Sequence, residues 1–112
     1  MATLNDVKYA STISSIWVCM IEGRFLVGGR GNTAWKRKSD AAVAFKHSEY
    51  WSWIVDGLKN SNPDQVEETK FGRWWKSNSR GKEIEDKKYQ ELLDNETVKY
   101  IEITPIPEWT NL

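Results

Sequence analysis

The sequence predicts an α+β fold, with a small antiparallel or mixed sheet made from an N-terminal hairpin and a C-terminal strand, packed against about two helices. Three stretches carry that expectation. SSIWVCMIEGRFLV reads as two apolar runs around a glycine turn, GKEIEDKKYQELLDNE as an amphipathic helix, and VKYIEI as a short strand stopped by prolines.

Taken in order, the run from Ile16 to Ile21 is continuous, apolar and rich in β-branched and aromatic residues, which predicts a strand covered on both sides. Glu22-Gly23 supplies a tight turn, because glycine accepts the positive φ that a short hairpin demands, and RFLV returns as the second strand. GGRGNTAWKRK has three glycines and an asparagine, so a bent loop is expected. Ser39 followed by Asp40 predicts a helix start, with the hydroxyl capping free amides and the acid suiting the dipole. AAVAFKH continues it.

Beyond His47 two periods compete. Val43, His47, Tyr50, Ile54 and Leu58 keep a helical spacing, whereas YWSWIV alternates like a strand, and the expectation is a short helix followed by a strand or irregular piece. KNSNPDQ is a polar loop, and Val66 to Lys82 has no clean periodicity. The last helix should place Ile84, Lys88 and Leu92 on one side with Tyr89 and Leu93 beside them. VKYIEI closes the sheet, and Pro105 and Pro107 end it.

The chain is expected to form one domain over residues 1–112, with a short flexible N-terminus to about residue 11 and a proline-containing tail from about 104. Its 112 residues include seven Trp, four Tyr and three Phe, enough apolar area for a core without disulfide or metal. Cys19 has no partner for an internal disulfide, no apolar run approaches a membrane span, and the start MATLNDVKYAST lacks the marks of a signal peptide. A cytoplasmic location away from membranes follows as the expectation.

Little in the chain points to catalysis. GGRGNTA contains G-x-G-x-x-A after a strand, but the dinucleotide fingerprint belongs to a doubly wound fold too large for this chain, so the glycines are read as shaping a loop and no cofactor is expected. His47 is the one histidine, which excludes multi-histidine metal sites and leaves no second imidazole for acid and base work. Cys19 lies inside the most apolar strand, where a thiol is inert. The carboxylates of the last helix alternate with lysines, the pattern of a solvated face. A binding protein is expected rather than an enzyme.

The charge distribution points to a class of partner. Sixteen cations balance sixteen anions, yet ten of the cations fall in two acid-free windows, residues 23–39 and 70–82, each carrying plus five. If folding joined them, a neutral chain would own a basic face. Arg30, Lys36, Arg37, Lys38, Arg73, Lys76 and Arg80 are the candidate phosphate contacts, and Trp35, Trp74 or Trp75 the candidate stacking rings, as single-stranded nucleic acid binding requires. Adjacent Trp74 and Trp75 must point in different directions, so one of them is expected to face outward or toward an interface. The first reading is therefore a module for nucleic acid or a nucleic-acid-handling complex. Tryptophan and arginine also dominate protein–protein hot spots, which gives an inhibitor or adaptor of a protein target as the alternative. A third reading is homo-oligomerisation that hides the aromatic surplus.

The layout WVCMIEGRFLVGG followed by TAWKRKSDAAVAFKHS resembles short accessory proteins of tailed bacteriophages, over about residues 16 to 48. The resemblance implies host takeover or counter-defence in the host cytoplasm as a setting. It carries over no functional residue.

Overall fold

The computed structural model describes residues 15–104. The expectations for the N-terminus to residue 11 and for the tail beyond Thr104 lie outside the described residues. Strand β1, Ile16–Ile21, turns through Glu22 and Gly23 into β2, Arg24–Phe25, with Ile21 opposite Arg24. Both turn residues have positive φ, 50° and 79°, the geometry whose twist matches that of the strands it joins. The returning strand is shorter than RFLV, because its ladder ends at Phe25. Leu26 still donates its N–H to the Cys19 carbonyl at 2.8 Å. The glycine loop then folds on itself, with Gly31 at φ 82° and the Gly28 N–H bonded to the Asn32 carbonyl at 2.7 Å. It returns to β1 at Trp35, which exchanges backbone hydrogen bonds with Trp17 at 2.6 and 2.8 Å.

Helix α1 spans Lys38–Lys46 and α2 spans Glu49–Ser61. Two expectations need correction here. Ser39 is not the cap of α1: Arg37 holds that position without a side-chain bond to the helix's free amides, and Ser39 lies inside the first turn. The segment after His47 is a second helix, not a strand or irregular piece. Ser48 caps it, its Oγ accepting from the Trp51 N–H at 3.3 Å and donating to the Phe45 carbonyl at 2.5 Å. The helical period wins because it sends Trp51, Ile54 and Val55 to the core while leaving Trp53 outside.

A single 3-10 turn, Pro63–Gln65, leads into a second hairpin of β3, Val66–Thr69, and β4, Gly72–Trp75. Helix α3, Gly81–Asp94, follows, and Glu96 at φ 59° turns the chain into β5, Val98–Ile103. β5 pairs with β1 over six residues, from Ile16 opposite Ile103 to Ile21 opposite Val98. The main sheet, ordered β2-β1-β5, is antiparallel throughout, so the fold is α+β with the N-terminal hairpin and C-terminal strand in one sheet.

The helices cover one face of that sheet. Cys19 and Val98 meet Phe45, Trp51 and Leu92 in the core, with Leu26 beneath and Tyr89 and Tyr100 at its margin. Phe45 is the hub, its ring 5.6 Å from Trp51 and 5.8 Å from Tyr89, distances at which aromatic pairs attract beyond their buried area. The hydroxyls of Tyr89 and Tyr100 are 2.7 Å apart, which gives each a partner at the edge of the apolar region. β1 was expected to be covered on both sides. Val18 and Cys19 are buried, but Ile16 at its start remains exposed.

Candidate partner-binding surface

The first basic window is built around β1. The ring of Trp35 stands where a side chain on Gly28 would reach it at 3.2 Å, and the residue packs against the core. Its paired backbone and half-buried ring make Trp35 a brace for the loop rather than an open platform. Arg37 forms an exposed ion pair with Asp40 at 3.0 Å. Lys38 lies 5.8 Å over the Trp17 ring. Arg30 and Lys36 are exposed.

The second window is built differently. The two strands of the second hairpin put Arg73 and Trp75 on one face and Trp74 on the other, as alternation requires. Arg73 reaches helix α2, where its guanidinium donates to the carboxylate of Asp56 and to the side-chain carbonyl of Asn60. Lys59 completes the clasp, donating to the Arg73 carbonyl at 3.0 Å with its ammonium 5.9 Å from the Trp74 ring and 5.8 Å from that of Trp75. Trp75 is half-buried against Gly81 at the start of α3, and its Nε1 is buried without a hydrogen-bond partner.

Folding also returns acids to a window that is acid-free in sequence. Glu68 is opposite Arg73 and Glu67 is opposite Trp74 across the hairpin, while Arg80 pairs with Glu83 at 3.4 Å. Lys76 is exposed and its backbone N–H bonds the Gln65 carbonyl at 2.8 Å. No hydrogen bond or ion pair joins the two windows among the described residues.

What the hairpin does present is aromatic. Phe71 at its tip is 84% exposed and Trp74 is 57% exposed, with the indole Nε1 leaning toward Gly72. Trp53, 75% exposed, projects from α2 one turn before the Asp56 that holds Arg73. It borders two shallow depressions, one shared with Lys46, Glu49, Lys59 and Glu85, the other with Asn60 and Lys88. Sequence reasoning missed Trp53, although the helical reading of YWSWIV would have placed it opposite Trp51 and Ile54 and so in solvent.

Groups with catalytic potential are placed otherwise. The Cys19 thiol is buried, and burial pushes its pKa up to about 11, so at neutral pH it is a protonated, inaccessible sulfur. His47 ends α1 in an exposed position. Among the described residues no group of three or more His, Cys, Asp or Glu is arranged to hold a metal ion, and no helix is long and apolar enough to cross a membrane.

Comparisons with protein-family models, with curated proteins and with solved structures find no match to this chain.

Proposed function

We propose that the protein is a non-enzymatic binding module that engages a protein partner through Phe71, Trp74 and Trp53, with the charges around them as a rim. The observation that carries this reading is the exposure of three large aromatic side chains on one hairpin and the helix it clasps. Exposed aromatics of this size bury much area at little entropic cost when a partner covers them, and they are the residue types that dominate hot spots. The nucleic acid reading loses ground at the second window, because Arg73 is engaged by Asp56 and Asn60 and two glutamates lie across the hairpin. The setting we propose is that of the resembling phage accessory proteins, with a target in the host cytoplasm.

A second reading is favoured by one observation. Arg30, Lys36 and Lys38, around the glycine loop, have no ion-pair partner among the described residues, which suits contact with phosphates. The two readings separate by salt. Capture of partners by the immobilised protein, repeated with a Phe71→Ala Trp74→Ala variant at about 50 and 200 mM salt, should show a partner retained at both concentrations and lost in the variant. Labelled oligonucleotides that bind at the lower salt, release at the higher and ignore the variant would replace the protein reading with the nucleic acid one.

A further inference from the structure

The second hairpin is attached to the protein without joining its core. From Asn62 to Arg80 no residue is buried, and none belongs to the cluster built on Phe45. β3 and β4 form a sheet of their own, and a two-stranded ribbon by itself is at best marginally stable. Its base is closed internally. The Gln65 carbonyl accepts from the Lys76 N–H at 2.8 Å, and the Gln65 side chain accepts from the Arg80 N–H at 3.0 Å, so the segment can swing on its two ends as one piece.

Its attachments are screened on one side and imperfect on the other. Along α2 they are the bonds of Arg73 to Asp56 and Asn60 and of Lys59 to the Arg73 carbonyl. The seam around them is open, a depression lined by Lys59, Asn60, Pro63, Val66, Glu68 and Arg73, where water weakens an ion pair. Against α3 the attachment is the Trp75 ring, whose Nε1 is buried with no acceptor. No other buried side-chain polar atom among the described residues is stranded in this way. A buried donor without a partner costs free energy that water returns on exposure, so the docked hairpin carries a penalty that the core does not share.

We infer that residues 62–80 form a strap that undocks from α2 and α3 while the core stays folded, turning the Trp75 ring out into solvent. A segment with few buried apolar contacts and solvent-exposed backbone bonds opens at the low end of a protein's local stabilities. Undocking adds a third large aromatic to the two that the strap already displays, Phe71 and Trp74. The surface then has a stowed and a released form. What Trp75 contributes to a partner rests on the protein-partner proposal; the undocking does not.

Native-state hydrogen exchange of the full chain, followed by NMR with the indole N–H signals assigned, tests this. The amides of residues 66–75 should be at least about 100-fold less protected than those of β1 and β5, and the Trp75 indole N–H should exchange with them. Low urea should speed exchange in β1 and β5 far more steeply than in the strap, because undocking exposes less surface than unfolding. Asp56→Ala, which frees one end of the Arg73 clasp, should speed exchange of the strap amides about two- to fivefold, as expected of a screened pair. Protection of β1 and β5 in that variant would show that the core remains folded. A strap sharing the protection and urea dependence of β1 and β5 opens only with the whole chain and would overturn the inference. So would a Trp75 indole N–H that stays protected while the strap amides exchange, since the ribbon would then fray with its anchor in place. Unchanged strap exchange in Asp56→Ala would equally overturn release from α2.

Discussion

The ring of Trp75 lies against the backbone of Gly81 so closely that a Cβ at that glycine would be 2.4 Å from two of its ring carbons. This contact seats the second hairpin on the start of α3. Gly81→Ala cannot be accommodated without moving the indole, and the large rigid ring has no flexible end to yield. We expect a loss of about 1–3 kcal/mol, typical of overpacking, although alanine is the better helix former. Urea unfolding followed by tryptophan fluorescence would measure it, and an unchanged midpoint would mean that the hairpin is not seated there.

The Arg73 clasp should be worth less than its appearance. Asp56 is 61% exposed, so solvent screens the pair and its coupling is expected at about 0.5–1 kcal/mol. A double-mutant cycle with Arg73→Ala and Asp56→Ala isolates that coupling from the loss of either side chain alone. A coupling near zero would leave Lys59 and Trp75 as the main anchors of the hairpin.

Stability should fall in alkali. Burial raises the pKa of Cys19 to about 11 and raises those of Tyr50, Tyr89 and Tyr100 above the ordinary tyrosine value; hydrogen bonding to Tyr89 adds to the shift of Tyr100. The unfolded chain ionises these groups first, so their contribution is fully present below the ordinary thiol value of 9.0. It is lost as pH rises toward the folded values. Urea midpoints taken from neutral pH upward should begin to drop near pH 9, and a Cys19→Ala background should lose the earliest part of that drop. A flat profile through pH 11 would contradict the burial of these groups.

The turn at Glu22 offers a change in the opposite direction. A glutamate at φ 50° adopts a conformation that asparagine and glycine tolerate better, and Asn-Gly is the preferred pair for this hairpin turn. Glu22→Asn should therefore stabilise by a few tenths to about 1 kcal/mol. The opposing loss, an exposed 3.4 Å hydrogen bond from Tyr50, is small. A lower melting temperature would show that this bond outweighs the turn.

Where periodicity and turn chemistry agree, the sequence is readable. β1, its Glu22-Gly23 turn, α3 and β5 each carry a local signal that their environment reinforces. YWSWIV misleads because two tryptophans two positions apart imitate strand alternation, while the decisive feature is the Ser48 cap one turn upstream. The second hairpin is invisible for another reason. VEET and GRWW form a two-stranded ribbon with much of both faces in solvent, so no apolar alternation marks it. The opposed faces of Trp74 and Trp75 follow from adjacency alone. The pairing of Arg73 with Asp56 joins residues 17 apart, and that distance in sequence is why a window free of acids does not stay so once folded.

The strand pairing that closes the main sheet joins residues 16–21 to residues 98–103. Until Val98 and its successors leave the ribosome, β1 has no neighbour along that edge, and its apolar run must wait while everything between the two strands is made. Loop closure of this length is slow compared with forming a local hairpin or helix. Each nascent molecule therefore passes through an interval in which its most hydrophobic strand offers an unfilled row of hydrogen-bonding groups. Translation speed and crowding with sister chains would then bear on the yield of folded protein alongside its final stability.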